Sequence, residues 1–196
     1  VEAMAEPGAP HDRIAAPADL FGTARRNSAG IDLSDETALE ELTNALQASA
    51  SDDLRAHALG ALEPVAGTSR PVLDPADHRD IVGHVAELDA GAAARIMQAA
   101  AEGAASWAAV SPRERAAGLD RAADLMQERM GRLMGIVIRE AGKSAANAIG
   151  EVREAIDFLR YYAAETRRTF GPDQRPLGPV VCISPWNFPL AIFTGQ

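Results

Sequence analysis

The sequence predicts an α/β fold, on three observations. Several stretches between residues 34 and 169 carry apolar residues at helical spacing. The run "VVCIS" at residues 180–184 has no helical period and is typical of a buried strand. A further element begins at Pro189, directly after that strand. Helices followed by an apolar strand fit the opening of an α/β domain better than a finished fold.

Composition excludes several classes of protein. The chain has 196 residues and a net charge of −9, which argues against nucleic acid as a partner. The start, "VEAMAEPGAPHD", lacks the basic and apolar regions of a signal peptide, and no window resembles a membrane span. A single cysteine and four scattered histidines leave neither a disulfide framework nor metal-ligand spacing. We therefore expect a soluble cytoplasmic protein without a metal site.

The chain divides into three parts. Residues 1–70 are predicted to be a flexible lead-in and linker with a short helix, and 71–178 a hairpin followed by helices. Residues 179–196 are predicted to be the strand and a turn. Because the chain begins with Val and ends without any stop-like element, we expect a piece of a longer polypeptide.

Local signals place the first elements. Ser34 is the expected N-cap of the short helix, whose leucines recur at helical spacing (Leu39, Leu42, Leu46). Two β-prone runs, 72–73 and 81–85, flank a turn-forming segment and predict a hairpin. Asp89 is expected to cap the next helix, with Trp107 as its anchor.

The helices that follow have clear ends. Ser111, Pro112 and Glu114 predict a capping box, and one apolar stripe is expected in the core (Leu119, Ala123, Met126, Met130). Gly142 is predicted to end the next helix in a left-handed conformation. The last long helix has a further apolar stripe (Ile149, Val152, Ile156, Leu159, Ala163). From spacing alone, Glu151 and Glu154 are expected on a solvated face, paired with neighbouring arginines.

Two polar positions on the final strand need separate interpretation. Cys182 is flanked by Val180, Val181 and Ile183, so we expect an inert, buried thiol. Asn187 follows the strand and has two interpretations: a structural side chain that bonds its own turn, or an amide donor held rigidly for catalysis. The run "REAGKS" lacks the first glycine of a phosphate-binding loop and follows a helix, which argues against a phosphate site.

The run "ISPWNFP" resembles the signature that ends the first nucleotide-domain strand of aldehyde dehydrogenases. Four upstream runs match the family in the same order: "DPADHRDIVGHV", "RAADLMQE", "REAGKS" and "FLRYYA". The resemblance spans residues 71–196. It implies an aldehyde dehydrogenase-like fold, of which this chain would supply the N-terminal helical portion and the first strand of a Rossmann-like NAD-binding domain.

The resemblance also implies roles for individual residues. Asn187 would donate a hydrogen bond to the oxyanion of the reacting aldehyde. Glu154 would face the substrate's amino group, and Phe188 would line the substrate pocket. Four residues would run alongside NAD (Ile183, Ser184, Pro185, Trp186). The family's nucleophilic cysteine and general-base glutamate match no residue of this chain, and Cys182 does not take the nucleophile's place.

The linker "LFGTARRNSAGIDLS" narrows the resemblance to a bacterial bifunctional family. There a flavin-dependent proline dehydrogenase precedes an NAD-dependent L-glutamate γ-semialdehyde (Δ1-pyrroline-5-carboxylate) dehydrogenase on one chain. This implies NAD here, FAD in an upstream domain, a small-molecule substrate, a homo-oligomer, and peripheral membrane contact of the parent. Two alternatives stay open: another aldehyde dehydrogenase with a different substrate, or an inactive assembly fragment. The isolated chain is expected to be inactive and to associate.

Overall fold

A computed structural model describes residue 11 and residues 13–60, 63–171 and 173–196. The helices are α1 (Glu36–Ala50), α2 (Ala90–Ala109), α3 (Pro112–Glu128), α4 (Met130–Ala141), α5 (Ala145–Thr169) and α6 (Ala191–Gly195), with a 3-10 turn at Pro17–Asp19. The strands are β1 (Leu54–Ala56), β2 (Leu59–Gly60), β3 (Glu63–Pro64), β4 (Thr68–Leu73) and β5 (Ile81–Glu87). Most of the predicted flexible lead-in, residues 1–10 and 12, lies outside the described residues.

A three-stranded sheet confirms the predicted hairpin and extends it. β4 and β5 pair antiparallel, from Thr68 opposite Glu87 to Leu73 opposite Ile81, with one register irregularity at residues 72–73. β5 is central, because β1 pairs parallel along its other edge. β1 was not predicted, since it has only three residues and follows a helix directly. β2 and β3 form a separate antiparallel pair.

The core lies among α1, α3, α4 and α5. Its buried members are aliphatic residues from all four helices (Leu42, Ala123, Met130, Met134, Val137, Ala148, Ile149, Val152, Ile156, Leu159). The predicted apolar stripe lies in the core, although its last member, Met130, begins α4. Ala123 and Met130 are buried, and Leu119 and Met126 pack against the core. Burial of this surface stabilises α5, the helix on which the candidate site rests.

Three of the four predicted helix termini are confirmed. Ser111 and Glu114 form a reciprocal capping box at α3, and Asp89 accepts the N–H of Ala92 at α2. Gly142 ends α4 with φ of 64°, in the left-handed region. At α1, however, the N-cap is Asp35, because the Ser34 hydroxyl donates instead to Asp32 at 2.7 Å.

α1 and α4 approach each other closely at two glycines of α4. A Cβ on Gly131 would lie 2.6 Å from the Cβ of Ala45, and a Cβ on Gly135 would overlap the side chain of Ser49. Both distances are far inside ordinary van der Waals contact. The two glycines therefore allow α4 to lie against α1.

The linker before α1 is fastened to α5 by a buried polar cluster. Ser28, which is 2% exposed, donates from its N–H to Asp157 Oδ1 at 2.9 Å and from its hydroxyl to Asp157 Oδ2 at 2.7 Å. Arg153 Nε donates to the Ser28 hydroxyl at 3.2 Å, and Arg25 pairs with Asp157 at 3.4 Å. We call Arg25, Ser28, Arg153 and Asp157 the linker clasp; nothing in the sequence pattern predicted it.

The prediction that Trp107 anchors α2 is wrong within the described residues. Its side chain is 60% exposed, and the one buried residue of α2 is Ala92. The described elements cover little of this helix beyond its first turn, which leaves the indole without a surface to pack against. No described helix is both long and apolar enough to cross a membrane.

Candidate active site

The run predicted as a strand is irregular and exposed in the structure. Val180, Val181 and Ile183 are each at least 67% exposed, and residues 179–185 form no described strand. Cys182 is exposed too, with Sγ 3.8 Å from the carbonyl of Gln196, so its expected burial is corrected. The physical reason is the same for all four residues. A strand needs a hydrogen-bonded neighbour, and no described strand lies beside this run.

Residues 186–190 form a turn that leads into α6. We call this segment the Asn187 turn. α6 packs directly on α5, because a Cβ on Gly195 would lie 2.9 Å from the Phe158 ring. The Ser184 hydroxyl, just before the turn, donates to the side-chain oxygen of Gln196, just after α6, at 2.7 Å. The candidate site is therefore held by α5.

Glu151 of α5 provides the strongest connection to this turn. Its carboxylate is buried, with a side chain 1% exposed, and it pairs with Lys143. The same carboxylate accepts the N–H of Leu190 at 3.0 Å and that of Ala191 at 2.8 Å, both at Oε1. The expectation that Glu151 lies on a solvated face with a nearby arginine is corrected.

The hydrogen bonds to Glu151 decide its charge state. Burial raises the pKa of its carboxyl, but the N–H of Ala191, the ammonium of Lys143 and the N–H of Leu190 together outweigh burial. The pKa of Glu151 therefore lies below its ordinary value of 4.5, and the group is ionised at neutral pH. Lys143 also covers the Phe188 ring, with Nζ 4.6 Å from the ring centroid.

The sequence contained a signal for the burial of Glu151 that spacing rules passed over. Glu151 is three residues after Ala148 and four before Ala155, and both of these are buried. Residues at that spacing share one helix face. A lone carboxylate on an apolar face, eight residues from a lysine, is the pattern of a buried ion pair.

Asn187 lies at the tip of the turn and is exposed. Within the described part of the chain, no hydrogen bond is made by its amide. Phe188 is 40% exposed and adjacent. Glu154 is also exposed, one helical turn beyond Glu151 on α5, and makes no ion pair with a described residue. The structure thus brings Asn187 and Phe188 together on one turn beside α5 and joins Glu154 to neither by a hydrogen bond.

The four predicted cofactor residues are contiguous, and the last of them, Trp186, begins the Asn187 turn. Ile183 is 87% exposed and Trp186 is 84% exposed, so both present apolar surface that a planar aromatic ligand could cover. Ser184 and Pro185 link them through the backbone.

Comparison with known proteins gives the family. The family model described as "Aldehyde dehydrogenase family" matches residues 63–196. The bifunctional protein PutA of Rhizobium meliloti is 60% identical over 196 residues, which is all of this chain and 16% of that protein. The chain therefore spans about a sixth of the length of this relative.

Two groups of solved structures share the fold. PutA from Bdellovibrio bacteriovorus, inactivated by N-propargylglycine, is similar with a TM-score of 0.76 and 30% identity, over 86% of this chain and 19% of that chain. A 1-pyrroline-5-carboxylate dehydrogenase from Thermus with bound NAD has a TM-score of 0.77 and 27% identity, over 87% of this chain and 36% of that one. The predicted fold class, a partial aldehyde dehydrogenase fold, is confirmed.

Proposed function

The chain belongs to the aldehyde dehydrogenase family, and on that premise we propose that it is part of an NAD-dependent L-glutamate γ-semialdehyde dehydrogenase. The parent protein would oxidise this aldehyde, which forms from Δ1-pyrroline-5-carboxylate, to glutamate in proline catabolism. One observation carries the proposal: the identity to a bifunctional PutA covers the whole chain, including the linker before residue 63 that the family match leaves out. A stand-alone aldehyde dehydrogenase gives no reason for that linker to match.

Asn187 supplies the oxyanion donor in this proposal. When a thiolate adds to an aldehyde, negative charge develops on the carbonyl oxygen, and a fixed neutral donor aimed at that oxygen lowers the barrier. The exposed amide of Asn187 is free to act in this way, because no described residue bonds it. Removing one such donor costs about 2.7–4 kcal/mol, or about two to three decades in kcat.

NAD, when bound, accepts the hydride that leaves the aldehyde carbon. In this chain Ile183 and Trp186 would hold the cofactor through apolar contact, and Ser184 and Pro185 through the backbone. The exposure of Ile183 and Trp186, and the position of the run directly before Asn187, support this assignment. If the parent carries the upstream proline dehydrogenase, that domain would hold FAD.

Glu154 and Phe188 would recognise the substrate. Glutamate semialdehyde carries an α-ammonium group, and the exposed carboxylate of Glu154 has no described ion-pair partner to satisfy it. Phe188 would form an apolar wall beside the carbon chain of the substrate. The thiolate and the general base would come from other parts of the parent protein, which we propose is a cytoplasmic homo-oligomer with peripheral membrane contact. Cys182 is not proposed as the nucleophile, because the one described hydrogen-bond partner of its thiol is the carbonyl of Gln196, which cannot act as a base.

The test is NADH formation by the full-length parent, supplied with Δ1-pyrroline-5-carboxylate or with propanal. We expect strong preference for the former. Glu154→Ala should raise KM for Δ1-pyrroline-5-carboxylate and leave KM for propanal unchanged, because propanal has no ammonium group. Activity with propanal alone would favour an aldehyde dehydrogenase with a different substrate, and a Glu154→Ala enzyme that handles both as before would remove that residue's role.

A further inference from the structure

We propose that Glu151 and Lys143 form a clamp that positions Asn187 for catalysis. This inference rests on the proposed function, because it assigns Glu151 as a positioning residue for the oxyanion donor. Neither residue touches the substrate in this account. They act through the backbone and the aromatic ring of the Asn187 turn.

The amide of Asn187 must be held in one direction to act as an oxyanion donor. A catalytic donor must hold its position to within about 0.5 Å. No hydrogen bond from a described residue fixes this side chain, and its neighbours Trp186 and Phe188 are exposed. The aim of the amide therefore depends on the backbone of the turn that carries it.

Glu151 and Lys143 hold the backbone of the Asn187 turn. Glu151 Oε1 accepts both the N–H of Leu190, at 3.0 Å, and the N–H of Ala191, at 2.8 Å. Its other oxygen pairs with Lys143, whose ammonium covers the ring of Phe188 at 4.6 Å. One buried ion pair thus contacts the residue directly after Asn187, the last residue of the turn and the first residue of α6.

Both residues of the clamp are fixed by the buried parts of the protein. Glu151 belongs to α5, and its neighbours on that helix are buried in the core (Ala148, Ile149, Val152, Ala155). Lys143 lies in the short connection between α4 and α5, and its side chain is 15% exposed. The clamp therefore transmits the fixed position of the core to the turn, alongside the packing of Leu190 against that core.

Stability alone does not account for this pair. Removing one member of a buried ion pair is destabilising, but replacing both members with apolar residues of similar size is often neutral or stabilising, so stability does not require a charged pair here. A carboxylate can accept two backbone N–H groups and a lysine at once, and no apolar side chain can do so. The 1% exposure of the Glu151 side chain also argues against direct contact with substrate.

The test is a double-mutant cycle in the full-length parent, measured as kcat for NADH formation with Δ1-pyrroline-5-carboxylate. Its members are Glu151→Ala, Asn187→Ala and the double variant. We expect Glu151→Ala to lower kcat about a hundredfold, the loss that a displacement of about 1 Å produces. In the Asn187→Ala background the same change should have little further effect, because the donor that the clamp positions is gone.

If the two substitutions act independently, their separate losses of kcat should multiply to within about twofold in the double variant. If Glu151→Ala lowers kcat equally in both backgrounds, the residue is merely structural and the clamp is overturned. If Asn187→Ala collapses kcat while Glu151→Ala does not, the clamp alone fails. If Asn187→Ala leaves kcat intact, the oxyanion role in the proposed function fails and the clamp with it.

Two further variants keep the test decisive. Glu151→Gln keeps the shape of the side chain and one acceptor oxygen, so it should fold even where Glu151→Ala does not. It should lower kcat less than Glu151→Ala does, and its effect should likewise disappear in the Asn187→Ala background. Glu165→Gln is the matched control, since Glu165 is on the same helix and pairs with Arg168 near the surface. It should leave kcat unchanged, and equal losses in the two Glu→Gln variants would overturn the clamp.

Discussion

Asp157→Ala should release the linker from α5. Asp157 accepts two hydrogen bonds from Ser28, at 2.9 Å and 2.7 Å, and pairs with Arg25. Ser28 is 2% exposed, so its N–H would lose its only described partner inside the protein. The Ser28 hydroxyl would keep its contact with Arg153.

The magnitude follows from these contacts. A hydrogen bond to a charged group contributes about 1.5–3 kcal/mol, and two are lost. Because the Asp157 side chain is 25% exposed, water can replace part of the loss. We expect the free energy of linker release to fall by about 2–4 kcal/mol. At about 1.4 kcal/mol per decade, amide exchange at Ser28 should accelerate about 30- to 700-fold.

The assay is hydrogen exchange at residues 25–31 of the full-length protein, followed by trypsin cleavage after Arg25. Asp120→Ala is the matched control, because Asp120 pairs with Arg167 at the surface, where the two side chains are 39% and 42% exposed. Such a surface pair contributes about 0–1 kcal/mol, so exchange should change little. Equal exchange rates in the Asp157→Ala and Asp120→Ala proteins would refute the reasoning.

Three further predictions concern packing, charge and exposed surface. Gly135→Ala should destabilise the protein by about 1–3 kcal/mol in urea unfolding, because the new methyl group overlaps the side chain of Ser49. An unchanged urea midpoint would contradict the close approach of α1 and α4. Glu151→Gln should lower Tm at neutral pH. The difference in Tm from the unsubstituted protein should shrink as pH falls below 4.5, because the lowered pKa of Glu151 gives stability that acid removes. A difference in Tm that stays constant down to pH 3 would contradict the ionised carboxylate. The isolated chain should associate and form no NADH, since Ile183 and Trp186 expose apolar surface, and a monodisperse monomer in light scattering would contradict this.

Elements with local causes could be predicted from the sequence. The capping box at Ser111 and Glu114 depends on residues three apart, and the left-handed end at Gly142 depends on one residue. The β4–β5 hairpin and the apolar face of α5 likewise follow from short-range patterns. The α/β class follows from the helical runs and the apolar run at residues 180–184, whereas the aldehyde dehydrogenase-like fold follows from "SPWNFP" and four upstream runs that resemble the family.

What could not be predicted depends on residues far apart in the chain. Ser28 and Asp157 are 129 positions apart, so no spacing rule connects them. Glu151 was assigned to solvent because nearby arginines offered ordinary pairs, whereas its true partners include two backbone N–H groups about 40 positions away. Cys182 was expected to be buried because a strand implies a sheet, and within the described residues no strand pairs with it.

The most direct test of the account is a structure of the full-length protein with L-glutamate and NAD bound. The account predicts that the side-chain nitrogen of Asn187 lies about 2.7–3.1 Å from an oxygen of the glutamate γ-carboxylate, where the aldehyde oxygen reacts. Glu154 should face the α-ammonium group in the same structure. An Asn187 side chain turned back to bond its own turn, away from the ligand, would contradict the central claim.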